Sequence, residues 1–359
     1  MDRRNLLEMA VAGGATLPLL NASTLFAAEP EDPYLRYIHP ELRNVYAQLK
    51  KMFGQRPPPS LATLAAERQA MDRFYRPWRQ DVPVDRKVIP VGKGHPDVTI
   101  FIVNPKPGEP RPAILHTHGG GFVTGSAQGG VPELQDLCAE LGCTAVSVEY
   151  RLAPETNYAG SIEDNYAGLK WLHDNAASIG ADPARIALLG ESAGGGHAAI
   201  LAQVARDRGE VPLVFQCLVY PMLDDHTGAM GPRARKLAPH LGAFGWTREA
   251  NRFGWHSFLG VEPGGRTAAR FAVPARTTDL AGLPPAWIGV GGIDLFLDED
   301  IEYAQRLNDA GVAAELIVVP GAFHGFDMAA GFDPTVRISG WFNTAKKNAL
   351  RRALGLPVS

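Results

Sequence analysis

Apolar and polar positions along most of the chain follow two alternating patterns. Short apolar, β-branched runs predict strands, and segments with apolar residues at helical spacing stand between them. The predicted strands are 98–105, 111–119, 143–151, 185–190, 213–222, 286–292 and 314–321. The predicted helices are 162–180, 193–207, 298–310 and 336–353. This alternation predicts an α/β fold, in which a mostly parallel central sheet carries helices on both faces.

Two stretches interrupt the alternation. Residues 224–276 contain no clear strand pattern, although their aromatic residues recur at roughly helical spacing. Residues 29–85 are helical but broken, with Ser60 as a candidate N-cap after a run of prolines. We expect these two segments to form one helical cap over a core made of residues 86–223 and 277–359.

The first residues have the order of an export signal. Arg3 and Arg4 precede a moderately apolar stretch that ends at Ala27 and Ala28, and the arginine pair resembles a twin-arginine signal. The stretch is too interrupted by polar residues, glycine and proline for a good membrane span. We expect residues 1–28 to direct the protein to the periplasm or the medium. The alternative is an amphipathic N-terminal helix of a cytoplasmic protein.

Composition narrows the range of partners. The chain has 359 residues, of which 45% are hydrophobic and 20% charged, with a net charge of −3 and no long basic run. This composition does not favour nucleic acid or an acidic membrane surface as a binding partner. The three cysteines, Cys138, Cys143 and Cys217, lack metal-ligand spacing. We expect buried thiols, and a Cys138–Cys143 bridge only in an oxidising compartment.

The clearest chemical signal is the sequence LLGESAGGGHAAIL. Ser192 follows the predicted strand 185–190 and precedes the predicted helix 193–207. Small residues at Gly190 and Gly194 permit a sharp turn that lifts the hydroxyl above the sheet edge and directs the Ala193 amide to the same point. This is the strand–GxSxG–helix nucleophile elbow.

A serine nucleophile needs donors for an oxyanion. The sequence HTHGGGF follows the predicted strand 111–119, and its three consecutive glycines expose backbone amides. We expect Gly120 and Gly121 to contribute such amides, with Gly119 as an alternative. His118 is expected to brace this loop.

A general base and an orienting carboxylate are the remaining requirements. Of ten histidines, His324 alone stands in a short loop directly after the last predicted strand, between two glycines. Asp294 directly follows the strand 286–292, and Asp298 is the second candidate. Because loops at the carboxyl ends of parallel strands share one edge of the sheet, these side chains should converge with Ser192.

Five motifs now point to one family. HGGGF (118–122), YRLAPE (150–155), GESAGG (190–195), GGIDLFLDE (291–299) and FHGF (323–326) occur in the order seen there. The chain resembles the hormone-sensitive lipase family of serine carboxylesterases, of the bacterial family IV type. The resemblance spans roughly residues 85–350 and implies an α/β-hydrolase fold with a sheet of about eight strands.

The resemblance also implies roles for individual residues. Ser192 would be the nucleophile, His324 the general base and acid, and Asp294 the orienting carboxylate. Gly120, Gly121 and Ala193 would form the oxyanion hole. Arg151 and Glu155 of YRLAPE are expected to brace loops.

The implied reaction is hydrolysis of short- to medium-chain carboxylic esters through an acyl-enzyme. It needs neither a cofactor nor a metal. Amide, peptide or lipase-type hydrolysis on the same triad stays open, as does a non-catalytic ligand-binding homologue. By analogy with relatives that pair through the last strand, we expect a homodimer.

Overall fold

The computed structural model describes residues 32–54, 59–71 and 75–358. The predicted export signal, residues 1–28, lies outside these ranges. None of the helices within them combines the length and apolar character that crossing a bilayer requires.

A single sheet of eight strands organises the part of the chain that the structure describes, with the order β1-β2-β4-β3-β5-β6-β7-β8. Strand β2 pairs antiparallel with β1 and with β4, and all other pairs are parallel. The strands are β1 Val84–Ile89, β2 Val98–Val103, β3 Arg111–Thr117, β4 Thr144–Glu149, β5 Ala181–Glu191, β6 Phe215–Val219, β7 Ala286–Gly291 and β8 Ala314–Val319. This is the mostly parallel α/β architecture that the sequence predicts.

Helices cover both faces of this sheet. They are α1 Arg43–Phe53, α2 Leu64–Met71, α3 Ala127–Leu141, α4 Tyr158–Asp174, α5 Ala176–Ile179, α6 Ala193–Arg208, α7 Arg248–Leu259, α8 Leu297–Asp309 and α9 Ile338–Ala353. Apolar side chains of α4, α6 and α8 pack on one face. Those of α1, α3 and α9 pack on the other.

Strand β5 shows why its sequence is a continuous apolar run. Leu188 belongs to the core on the α6 face, and its neighbour Leu189 belongs to the core on the α9 face. Since successive side chains of a strand point to opposite faces, a strand covered on both sides needs apolar residues at every position.

Two elements escaped prediction. Strand β1 reads VDRKVI, and four of its six residues are exposed, so the edge strand lacks the apolar run that marks the others. Helix α3 begins with Ser126 as its N-cap and carries Gly129, Gly130 and Pro132 in its first turns. These residues obscure its helical pattern, because glycine and proline are poor helix formers.

The segment 224–276 contains helix α7, a short 3-10 turn at Pro274–Arg276 and no strand. Helix α7 lies against the core next to the glycine-rich loop: a Cβ atom added at Gly254 would be 2.6 Å from the carbonyl oxygen of Gly121. Helix α1 also contacts the segment 224–276, since Phe244 packs edge-on against Tyr46 of α1, with ring centroids 4.6 Å apart.

The packing of β5 generates a stability prediction. Leu188 is fully buried, whereas Leu61 is 71% exposed. We expect Leu188→Ala to lower the free energy of unfolding by about 2–5 kcal/mol through lost burial and a residual cavity, and Leu61→Ala to change it by less than about 0.5 kcal/mol. Urea denaturation of both variants measures the difference; equal losses would contradict the assigned burial.

Candidate active site

Ser192 stands at a strained turn between β5 and α6. Its backbone has φ 57° and ψ −123°, a conformation that residues with side chains rarely adopt. The turn closes tightly because its flanks are glycine. A Cβ atom at Gly190 would lie 2.2 Å from the carbonyl oxygen of Gly194, and one at Gly194 would lie 2.0 Å from that of Thr117. The glycines of this sequence therefore permit the sharp turn that carries Ser192 at its tip.

Three side chains from separate loops form one chain of hydrogen bonds. His324 Nε2 lies 2.9 Å from Ser192 Oγ, and His324 Nδ1 lies 2.8 Å from Asp294 Oδ2. The serine is 7% exposed and the aspartate is fully buried. The imidazole thus has a carboxylate on one nitrogen and a hydroxyl on the other, which is the arrangement of a general base with its orienting group.

The carboxylate beside His324 is that of Asp294, not that of Asp298. The second oxygen of Asp294, Oδ1, accepts a hydrogen bond of 3.0 Å from the Phe296 amide, which fixes the carboxylate plane. Asp298 instead lies in the first turn of α8, where a negative charge is favoured by the helix dipole.

Aromatic rings enclose the imidazole of His324. The ring centroids of Tyr220, Phe296 and Trp246 lie 4.6, 5.2 and 6.4 Å from that of His324. The Tyr220 hydroxyl donates to Asp327 at 2.7 Å, so this ring is itself held in place. These three aromatic rings limit how far the imidazole can rotate away from Ser192.

The glycine-rich loop lies directly beside the serine. A Cβ atom at Gly119 would be 3.5 Å from Ser192 Cβ. Gly120 and Gly121 have φ values of +125° and +60°, which turn the backbone as only glycine does readily. Among the described residues, no backbone hydrogen bond uses the N–H groups of Gly120, Gly121 or Ala193. These amides are available to an oxygen atom at Ser192.

Several hydrogen bonds fix this loop against the serine turn. Thr117 Oγ1 donates to the Gly194 carbonyl at 2.7 Å, which ties the two loops together. The Tyr150 hydroxyl donates to the His118 carbonyl at 2.6 Å, and His118 Nδ1 lies 2.9 Å from the Gly119 carbonyl. The structure thus places His118 where the sequence suggests, bracing the glycines.

A profile of the α/β-hydrolase fold matches residues 114–328 of the chain, which include every residue of the site. The chain belongs to the α/β-hydrolase fold family. The predicted fold and the predicted resemblance to hormone-sensitive lipase-type carboxylesterases are thereby confirmed.

Several relatives of this α/β hydrolase are named as ester hydrolases. Carboxylesterase NlhH of Mycobacterium tuberculosis is 37% identical over 220 residues, which cover 60% of the chain and 66% of that protein, just under two thirds. The ethyl acetate hydrolase of Pseudomonas putida is 31% identical over 60% of the chain and 65% of its own length. A bacterial heroin esterase structure superposes with a TM-score of 0.78 at 35% identity, covering 89% of this chain and 98% of that one.

Two arginines brace the loops of this hydrolase. Arg151 makes a bidentate pair with the buried Asp164 at 2.8 Å. Arg68 of α2 pairs with Glu155 and also donates to the Val123 carbonyl at 2.7 Å. The expectation that Arg151 and Glu155 brace loops agrees with these contacts, whereas the role of Arg68 carried no signal in the sequence.

A second histidine network escaped sequence reasoning. Glu191, which precedes the serine, lies 3.0 Å from His116 Nε2, and His116 Nδ1 lies 2.8 Å from Ser147 Oγ. Burial alone would raise the pKa of Glu191, but the interactions with His116, supported by Lys346 and a backbone hydrogen bond, lower the pKa overall. Because Ser147 is fully buried, this network ties the residue before Ser192 to the interior of the sheet.

One group of potential metal ligands occurs among the described residues, namely Asp224, Asp225 and His226. Its carboxylates already have cationic partners. Arg276 binds Asp225 at 2.6 and 2.8 Å, and Arg235 binds Asp224 at 2.7 Å. With these partners in place, the cluster acts as a set of ion pairs within the segment 224–276.

Behind the glycine loop lies an uncharged histidine. His197 of α6 is 1% exposed, and neither ring nitrogen has a hydrogen-bond partner among the described residues. Burial, together with a smaller effect of the nearby His118, lowers the pKa of His197 to about 3. Its ring packs against Phe122 and Phe258, with centroids 5.1 and 5.3 Å away.

The pKa of His197 predicts acid sensitivity. Since it falls from 6.5 to about 3 on folding, the unfolded chain binds more protons between these values, and stability falls as pH drops below about 6.5. His197→Leu should remove about 3 kcal/mol of this loss near pH 4. Urea denaturation between about pH 7 and 4 measures it. The half-exposed His256→Leu is the control, and an unchanged pH dependence for His197→Leu would contradict the assignment.

Proposed function

We propose that the protein is a serine carboxylesterase that hydrolyses short- to medium-chain esters. The proposal is carried by the hydrogen-bonded series Ser192–His324–Asp294 beside three unpaired backbone amides. The chain's match to its curated relatives covers only about two thirds of their length, so their activity supports the proposal by analogy.

Acylation begins when Ser192 Oγ attacks the ester carbonyl carbon. His324 Nε2 accepts the hydroxyl proton, and Asp294 stabilises the imidazolium through Nδ1. The carbonyl oxygen becomes an oxyanion, which accepts hydrogen bonds from the amides of Gly120, Gly121 and Ala193. Each donor of this kind contributes about 3 kcal/mol to transition-state stabilisation.

Collapse of the tetrahedral intermediate breaks the bond to the leaving alcohol. His324 donates its proton to the alcohol oxygen, and the acyl group stays on Ser192. Water then enters, His324 removes its proton, and a second tetrahedral intermediate releases the carboxylic acid. The cycle ends with the serine hydroxyl and the neutral imidazole restored.

Two further parts of the proposal concern the whole chain. Residues 1–28 would direct export, supported by the arginine pair and apolar stretch of the sequence. A homodimer would form along β8, supported by the position of that strand at the edge of the sheet.

The first test removes the nucleophile. Ser192→Ala should lower kcat for p-nitrophenyl acetate by roughly 10⁴-fold or more, because the amides alone cannot replace covalent catalysis. Ser178→Ala, at an exposed serine, should match the wild type. A fluorophosphonate should label Ser192 in the wild type only, as peptide mass spectrometry can verify. A purified, folded Ser192→Ala protein with wild-type turnover rejects the proposal.

The second test compares substrates. We expect kcat/KM for p-nitrophenyl esters to be greatest between acetate and hexanoate and to fall at longer chains. The matching p-nitroanilides should react far more slowly, because an amide leaving group is poorer. A maximum at long chains would indicate lipase-type activity, and comparable anilide rates would indicate an amidase. Labelling of Ser192 without turnover of any ester would indicate a ligand-binding role.

A further inference from the structure

One side chain of the segment 224–276 reaches the centre of the site. The six-membered ring of Trp246 lies against Gly121, since a Cβ atom added there would be 2.2 Å from Trp246 Cη2. The same indole stands over His324, with centroids 6.4 Å apart and planes inclined by 39°. Trp246 therefore bridges a candidate oxyanion donor and the candidate general base.

The orientation of this indole is fixed by hydrogen bonds. Trp246 Nε1 donates to Asn251 Oδ1 at 3.0 Å, and the amide of Asn251 donates in turn to the Thr227 carbonyl. Asn251 is fully buried in α7. Because both ends of this relay are satisfied, rotating the indole out of the cleft would leave the buried amide oxygen without its donor, at a cost in free energy.

The backbone before Trp246 is anchored as well. Phe244 packs edge-on against Phe323, the neighbour of His324, with ring centroids 5.0 Å apart. Gly245 passes close to the base, since a Cβ atom there would lie 3.3 Å from His324 Cβ. The wall formed by Trp246 is thus held against the very loop that carries the base.

The tetrahedral intermediate determines which part of an ester meets this wall. Of its substituents, the oxyanion points to Gly121 and the leaving oxygen points to His324 Nε2, which must protonate it. The acyl chain is a separate substituent of the tetrahedral carbon and points in another direction. The oxyanion carries no further atoms, so the group that extends toward the indole is the one attached to the leaving oxygen.

We propose that Trp246 is a specificity-determining residue that limits the size of the alcohol part of the ester. The preferred substrates are esters of small primary alcohols, and bulky alcohols are excluded by contact with the indole. This inference rests on the proposed esterase function and adds the substrate class of its leaving group.

The test varies the alcohol and the acyl group separately. Acid release is titrated for ethyl acetate, cyclohexyl acetate and ethyl octanoate, with active sites counted by fluorophosphonate labelling. In Trp246→Ala, the kcat/KM ratio of cyclohexyl to ethyl acetate should rise by about tenfold or more. The ratio of ethyl octanoate to ethyl acetate should change by less than about twofold.

Two other variants make the result interpretable. Trp341→Ala, at an indole 55% exposed on α9, should leave both ratios unchanged. If the alanine variant does not fold, Trp246→Leu replaces it, because leucine keeps part of the apolar volume. Trp246→Leu should raise the kcat/KM ratio of cyclohexyl to ethyl acetate by a smaller factor.

The outcomes separate the two proposals. An enzyme that labels and turns over ethyl acetate, but whose alcohol ratio is unmoved in both Trp246 variants, overturns the role of Trp246 alone. A change in the acyl ratio as large as that in the alcohol ratio does the same. A wild-type protein that neither labels nor hydrolyses any of the esters overturns the esterase proposal itself.

Discussion

The site depends on how closely the serine turn approaches the loop after β3. Gly194 lies where even a methyl group would overlap the Thr117 carbonyl, and Gly190 faces the same constraint from Gly194. The contact forces Ser192 into a positive φ, and the hydrogen bond from Thr117 to Gly194 joins the two loops. Strain at the serine is therefore balanced by packing and hydrogen bonding around it.

The same close approach brings the candidate nucleophile next to the candidate oxyanion donors. The amides of Gly120 and Gly121 belong to a loop whose backbone is held by Tyr150 and His118, and the amide of Ala193 belongs to the first residue of α6. Donors that are already oriented need no reorganisation as charge develops. The segment 224–276 meets the same loops directly, because Trp246 lies against Gly121 and Gly245 lies against His324.

Much of this arrangement could be predicted from the sequence. A strand covered on both faces has the apolar run seen at β5, and loops at the carboxyl ends of parallel strands meet at one edge, which placed Ser192, His324 and Asp294 together. Strand β1 was missed because an exposed edge tolerates charged residues. The position of Trp246 could not be predicted from the sequence either, since its contacts with Gly121 and His324 join residues far apart along the chain.

Arg68 gives the N-terminal segment a part in the architecture of the cleft. Its guanidinium joins α2 to the carbonyls of Val123 and Ala153 and to Glu155, at the point where the glycine loop returns to the core. The matched hydrolase region begins only at residue 114. A chimaera that joins a foreign N-terminus to that region would keep Ser192, His324 and Asp294 but lose the contacts that Arg68 makes beside the glycine-rich loop. The contacts that hold this loop therefore extend beyond the residues that match the family.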